Sequence, residues 1–336
     1  VSAASALQRW WYMRGPTPAA LLLPLAWLYR ALLAARRAAF RLGLLPRYRA
    51  PVPVIVVGNF TVGGNGKTPA VIALVQALQA RGYMPGVVSR GYGRTSSGNH
   101  LVTHESTSAE VGDEPLLIAR RTQAPVAVAA RRAEAARLLL ARHRCDVIVA
   151  DDGLQHLALE RDIEIAVTGA QRDGNGWLLP AGPLREPPRA VDAVLVSSGT
   201  VRDGEWPLAQ RLGPACRAQA PREQRALAEF AGERCAAVAG IGRPQAFFDA
   251  LRAAGLRLAR TVALPDHTPY RDNPFAALPE TAIFVTEKDA IKCAQMDARL
   301  WVVPLEAQLP AALVDAIDQR LKALRAAMPR RGQETA

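Results

Sequence analysis

Val54-Ile55-Val56-Val57-Gly58-Asn59-Phe60-Thr61-Val62-Gly63-Gly64-Asn65-Gly66-Lys67-Thr68-Pro69 opens on an apolar, β-branched run. It then passes through a glycine-rich turn and reaches Lys-Thr ahead of the Ala-rich apolar segment 70–80. That order predicts a short buried strand, a loop and a helix. Inward-facing backbone N–H groups of such a loop, with the positive end of the following helix, make a nest for a polyphosphate. The candidate cradle is Thr61, Val62, Gly63, Gly64, Asn65, Gly66, Lys67 and Thr68. Lys67 is expected to reach the β/γ-phosphates, and the Thr68 hydroxyl to hold Mg²⁺.

The match to G-x-x-x-x-G-K-[ST] is incomplete, because Thr61 stands where the first glycine belongs. Gly63 and Gly64 inside the loop are then expected to carry the unusual backbone angles. A glycine-rich turn that happens to end in lysine is the plain alternative. Composition argues against it: only Lys67, Lys288, Lys292 and Lys322 among 42 basic residues are lysine. A lysine chosen against that bias points to a need for a compact ammonium rather than a planar guanidinium.

Downstream, Pro85–Ser89 reads as a strand running into Arg90-Gly91-Tyr92-Gly93-Arg94, a turn expected at the ligand-binding end of an open α/β sheet. Residues 95–108 read as a loop, in which His100 and His104 lack a third metal ligand. Gly112-Asp113-Glu114-Pro115 precedes a helical run over 115–122, so both carboxylates can simply favour a helix start. Residues 125–129 read as a strand and 131–143 as an amphipathic helix. Asp146–Ala150 then runs an apolar strand into Asp151-Asp152-Gly153-Leu154-Gln155-His156, the form of a motif whose strand-end carboxylate binds Mg²⁺ or its water. Ile163–Thr168 and Val191–Ser197 read as further strands of the first sheet, on either side of a proline-stiffened segment carrying Arg185 and Glu186.

After a polar stretch at 199–224 a second α/β run begins, with strands at 235–239, 258–264, 282–286 and 300–304. A helix is expected over 245–254 and a C-terminal one over 307–327. The division read from sequence is 1–50, an N-terminal segment; 51–205, a nucleotide-binding domain; and 206–336, a smaller α/β domain that closes over the site and includes the C-terminal helix. The N-terminal segment is apolar and uncharged from Gly15 to Tyr29, with arginines following. A helix over 15–29 would measure about 22 Å, short of the roughly 30 Å hydrocarbon core, so an anchor lying in the cytoplasmic leaflet fits best. A buried N-terminal helix is the alternative.

Four scattered cysteines form no disulfide framework or zinc spacing, and a net charge of +12 calls for an acidic partner. No aromatic–basic interleaving marks a nucleic-acid module, and no obligate protein partner is evident. Thr286-Glu287-Lys288-Asp289 has the wrong spacing for an N-K-x-D guanine reader, which favours ATP. A kinase needs a base near its acceptor hydroxyl. Asp266-His267 after a strand of the second domain supplies one, although a lone histidine is more often structural. Asp113 is the best first-domain carboxylate to pair with it.

In this pattern the chain resembles the tetraacyldisaccharide 4′-kinase (lipid A 4′-kinase) family. The matching segments are 57–69, Ser89–Gly93, Gly112–Pro115, Asp151–His156, Leu179–Pro187, Gly240-Ile241-Gly242, Asp266-His267 and Thr286–Asp289, in family order. The family's loop looks the same at Thr61. The resemblance implies a phosphate-loop α/β sheet with flanking helices, a second smaller α/β domain and a membrane-associating N-terminal helix. It also implies transfer of the ATP γ-phosphate to the 4′-hydroxyl of an acylated glucosamine disaccharide 1-phosphate, at the cytoplasmic face of the inner membrane. By the same likeness Lys67 and Thr68 serve phosphate and Mg²⁺, and Asp151, Asp152 and Glu114 lie on the metal side. Asp113 with His267 activates the hydroxyl, and Arg90, Tyr92, Gln155, Arg185 and Glu186 line the acceptor side. After His267 this chain runs Thr268-Pro269-Tyr270, where many relatives place an aromatic directly. The competing reading is a membrane-recruited ATP switch of the partitioning-ATPase type, which has no use for an Asp113–His267 pair.

Overall fold

The computed structural model describes residues 3–13, 15, 17–270 and 272–328; residues 329–336 of the expected second domain lie outside it. The first lobe contains helices α1 (Ala3–Trp11) and α2 (Leu23–Arg41), strand β1 (Val54–Gly58), helix α3 (Lys67–Ala80), and strands β2 (Pro85–Ser89) and β3 (His100–Leu101). Helices α4 (Ser108–Val111) and α5 (Asp113–Thr122) follow, then β4 (Val126–Val128), α6 (Arg132–Arg142), β5 (Val147–Asp151), β6 (Ile163–Thr168), β7 (Ala193–Val196) and β8 (Trp206–Pro207). These eight strands pair in the order β3-β4-β2-β5-β1-β6-β7-β8, parallel except at the β3 edge. A parallel sheet covered on both faces buries whole strands, so β1, β2 and β5 read as unbroken buried runs.

α3 lies against one face, and its buried residues Ala70, Val71, Leu74, Val75 and Leu78 point several ways at once because it is itself covered. α6 packs Ala135, Ala136 and Leu139 on the other face. With β1 between β5 and β6, the loops after β1 and β5 meet at one end of the sheet. The register puts Val57 beside Asp151. This is the switch point where such sheets bind ligands.

The second lobe comprises β9 (Ala209–Leu212), β10 (Ala215–Arg217), β11 (Ala220–Arg225), β12 (Cys235–Ala239), α7 (Pro244–Ala253), β13 (Leu258–Ala263), β14 (Ala282–Thr286), α8 (Glu287–Cys293), β15 (Leu300–Val303) and β16 (Leu305–Gln308). Six of its strands pair as β11-β10-β15-β14-β12-β13. β9 and β16 pair with each other as an antiparallel ribbon, where the chain leaves the first lobe and returns.

Helix α9 (Ala311–Ala327) then packs on the first lobe, not the second. Leu313, Val314, Ile317 and Leu321 join the core around α3, each burial worth roughly 1.5–3 kcal/mol. The helix expected from 307 starts at 311 because 305–308 is taken by β16. The polar stretch 199–224, read without structure, holds four short strands, and the 95–108 loop contains β3. The first sheet extends one strand beyond 191–197, to β8.

The N-terminal helix is longer than the 15–29 span expected. Helical structure runs from Pro18 to Arg41, 24 residues, or about 36 Å, enough to cross a membrane by length and composition. Pro24 sits in the first turn of α2, where its missing N–H costs nothing, and no breaker follows before Leu42. Arg30, Arg36, Arg37 and Arg41, which follow the uncharged run, therefore lie inside the helix. Leu21, Leu25, Trp27, Leu28 and Leu32 are exposed along it, so it is not a buried core helix.

Candidate active site

The cradle of residues 61–68 needs left-handed backbone at two places, Gly63 (φ 108°) and Gly66 (φ 81°). Gly66 sits just ahead of α3, whose N-terminus opens on Lys67 and Thr68. Thr61 is not among the positive-φ residues. It is buried, bridges to Leu184, and accepts a hydrogen bond of 2.8 Å from the Asn65 amide, which ties the loop to itself. Its lack of a glycine therefore costs the loop nothing, and Gly66 rather than Gly64 shares the conformational work with Gly63.

Lys67 Nζ donates to Asn59 Oδ1 at 3.1 Å and lies 3.5 Å from Asp152 Oδ1. Arg185 donates to the same two acceptors, at 3.1 Å and 2.7 Å. Burial would raise the Asp152 carboxyl, but the Lys67 and Arg185 cations override it and hold it down at about 2. Asp151, at the buried end of β5, is in the opposite state. Burial first, then the Glu114 and Asp152 charges, push it up to about 7. Ser89 donates to its Oδ2 at 3.0 Å, while Oδ1 is buried with no partner among the described residues. Arg132 donates to the Asp151 and Asp152 carbonyls at 2.8 and 3.2 Å, and fixes the Asp-Asp turn, where Asp152 takes φ 47°.

Gln155 donates to the Asn59 carbonyl at 3.0 Å and to Glu186 Oε1 at 2.8 Å. Glu186, buried, also pairs with Arg37 of α2, and Tyr29 of α2 donates to the Arg185 carbonyl at 2.8 Å. Gln155, Arg185 and Glu186 thus join the cradle to the N-terminal helix. Arg90 is exposed, and its charge is felt at Arg132 and at His156.

The second lobe comes over the cradle. A Cβ placed on Gly242 would lie 3.9 Å from the Gly64 nitrogen, so the 240–244 turn meets the loop with bare backbone. From the loop after β13, His267 (φ 62°) sets Nδ1 3.1 Å from Asp113 Oδ2 at the start of α5. The exposed Tyr92 ring stands edge-on to the His267 ring, centroids 5.3 Å apart. Asp113 is mostly buried, which would raise its carboxyl, but hydrogen bonds from His267 and Lys292 bring it below the usual range. Tyr270, displaced from the position after the histidine, is buried beneath this loop and stacks on Phe275.

Two lysines on α8 also reach the pair: Lys288, which lies in the matching segment Thr286–Asp289 without an assigned role, and Lys292, which the sequence motifs do not single out. Lys292 Nζ lies 3.0 Å from Asp113 Oδ2. Lys288 Nζ is 3.3 Å from His267 Nε2 and from Asp266 Oδ1, and 3.7 Å from Glu114. The scarcity of lysine that singled out Lys67 marks these two as well. Asn59, inside the matching segment 57–69 but given no role there, and Arg132, which no motif announces, complete the set.

The chain was also compared as a whole with known proteins. The family model described as tetraacyldisaccharide-1-P 4′-kinase matches residues 18–322. The chain belongs to this family. It is 50% identical over 351 residues to the tetraacyldisaccharide 4′-kinase of Bordetella petrii, covering 98% of this chain and 99% of that relative. It is 47% identical to that of Janthinobacterium sp. (strain Marseille), covering 94% and 95%. The crystal structure of LpxK from Aquifex aeolicus in complex with ATP superposes with a TM-score of 0.78 at 27% identity, over 91% of this chain and all of that one. The expected ATP-dependent tetraacyldisaccharide 4′-kinase of lipid A biosynthesis, with its α/β fold and apolar N-terminal helix, is therefore upheld.

Proposed function

We propose that this chain phosphorylates the 4′-hydroxyl of a tetraacylated glucosamine disaccharide 1-phosphate with ATP and Mg²⁺, using Asp113 and His267 as the base. The observation that carries the reading is the 3.1 Å contact between Asp113 on α5 and His267 on the other lobe. A nucleotide switch has no need of it. Lys67, Arg185 and the α3 N-terminus bear on the triphosphate. Asp113 takes the proton of the sugar hydroxyl as its oxygen bonds the γ-phosphorus, and the bond to the β-bridging oxygen breaks to release ADP. His267 orients that carboxylate, and the Gly242 turn helps keep water out.

The residues suit Mg²⁺. Among the described residues no three acidic, His or Cys side chains form a metal cage. Mg²⁺ at such sites draws most of its oxygens from phosphate and water, and one or two carboxylates suffice. The orphaned Asp151 Oδ1, with Asp152, Thr68 and the Glu114 charge felt at Asp151, is the donor set available. When bound, the ion neutralises charge on the transferring phosphoryl group.

The exposed apolar residues of α2 and the excess of arginine support a location at an anionic inner-membrane surface, on its cytoplasmic face. The acceptor's own phosphate and its membrane location account for the basic charge without nucleic acid. The test is incubation of the full chain with γ-labelled ATP, Mg²⁺ and tetraacyldisaccharide 1-phosphate in mixed micelles. Label is expected in the lipid; label only in free phosphate supports the switch instead.

A further inference from the structure

Helix α8 brings two cations to the Asp113–His267 pair from a single turn-and-a-bit of chain. Lys288 and Lys292 are spaced i, i+4 and so lie on one helix face. Lys292 is nearly buried, its Nζ bonded to Asp113 Oδ2 and lying 5.8 Å from the centre of the Tyr270 ring. Lys288 abuts His267 Nε2. With Lys67, three of the chain's four lysines stand at this cleft, while the remaining one, Lys322, pairs on the surface with Asp318.

An ammonium has three donors and no acceptor. The histidine nitrogen facing Lys288 is therefore the accepting one, which puts the ring proton on Nδ1, aimed at Asp113. Asp113 Oδ2 then receives both His267 and Lys292, while Oδ1 accepts no hydrogen bond among the described residues.

We propose that Lys292 and Lys288 are positioning residues for the base. Lys292 and His267 together pin Oδ2 and leave Oδ1 as the oxygen that takes the acceptor's proton; Lys288 fixes the histidine tautomer that makes this possible. Both lysines come from the second lobe and Asp113 from the first, so the base is complete only when the lobes meet. This inference rests on the reading of Asp113 and His267 as the base.

The test measures kcat, the KM for ATP and ATP binding in the full chain with tetraacyldisaccharide 1-phosphate. Lys292→Met is compared with Lys322→Met and with Asp113→Asn, alone and combined. Loosening a reacting group by about 1 Å costs on the order of 10²-fold. Lys292→Met is therefore expected to lower kcat by about that factor, with ATP binding within about twofold, while Lys322→Met does neither. In the Asp113→Asn background Lys292→Met is expected to add nothing, since it acts only through that carboxylate. A further full-sized loss in the double variant overturns the proposal, because a structural role would be additive.

Lys288→Met, a more exposed position, gives the same test through His267→Ala should Lys292→Met fail to fold. An Asp113→Asn enzyme as fast as the unchanged protein overturns the base itself. A slow Asp113→Asn beside a normal Lys292→Met overturns only the lysine assignment.

Discussion

The two ends of the cleft are built differently. The side chains of the phosphate end come from one lobe: Lys67, Asn59, Asp152 and Arg185 bond to one another, and Asp151 beside them accepts from Ser89. The acceptor end is shared. Asp113 and Glu114 come from α5, and His267, Lys288 and Lys292 from the second lobe. A site made within one sheet is preorganised as soon as the sheet folds. A site made between lobes exists only in the closed arrangement, which, with Asp113 and His267 as the proposed base, couples substrate capture to its completion.

Changing the phosphate end alone should damage both binding and chemistry. Lys67→Met removes an ammonium from the phosphates, and a lost charge-stabilising donor typically costs about 10²–10³-fold. A kcat loss of that size is expected together with weaker ATP binding, read by steady-state kinetics and by calorimetry. Normal ATP affinity would show that the two ends are less distinct than described.

Changing the seam between lobes should do the reverse, and more mildly. Arg121 of α5 makes two hydrogen bonds to Glu287 of α8, at 2.7 and 2.8 Å, and Glu287 also accepts from the Leu305 N–H of the returning ribbon strand. Arg121→Met leaves that carboxylate short of partners, at a cost of about 1–2 kcal/mol. Transfer is expected to slow several-fold with ATP affinity intact. An ATP affinity that falls as far as kcat would contradict the division.

The smallest expected effect is one of pH. The Asp151 carboxyl is raised to about 7 in the fold. Its contribution to stability is complete below its unfolded value near 4 and is lost as pH rises to about 7. Asp152, held down at about 2, contributes fully above about 4 and loses that only as pH falls toward 2. A cation at Asp151 must displace its proton below pH 7. The Mg²⁺-dependent gain in unfolding free energy with a non-hydrolysable ATP analogue, read by denaturant titration, should therefore be larger at pH 8 than at pH 6, by up to about 1.4 kcal/mol. Equal gains would remove Asp151 from the metal side.

This contrast also explains what the sequence disclosed. β1, β2, β5 and β12 are continuous buried runs, and the Lys67 loop and Asp151-Asp152 follow strands directly, so local order revealed them. The Asp113–His267 pair spans 154 positions and needed a family likeness beside the residues. Lys288 and Lys292 were passed over because their meaning lies in what α5 brings to them across the seam. The full length of α2 is hidden in the sequence because Arg30 closes the uncharged run well before the helix ends at Arg41. In the fold Arg36 and Arg37 turn inward to the Gln155 carbonyl and to Glu186. The strands β8 to β11 are too short and polar to show alternation.

The most direct measurement is phosphate transfer to tetraacyldisaccharide 1-phosphate by Asp113→Ala and by His267→Ala, with ATP binding followed in parallel. Both variants should bind ATP normally and lose at least about 10²-fold in transfer. Unchanged transfer in both, with the proteins folded, would contradict an active site completed by the second lobe.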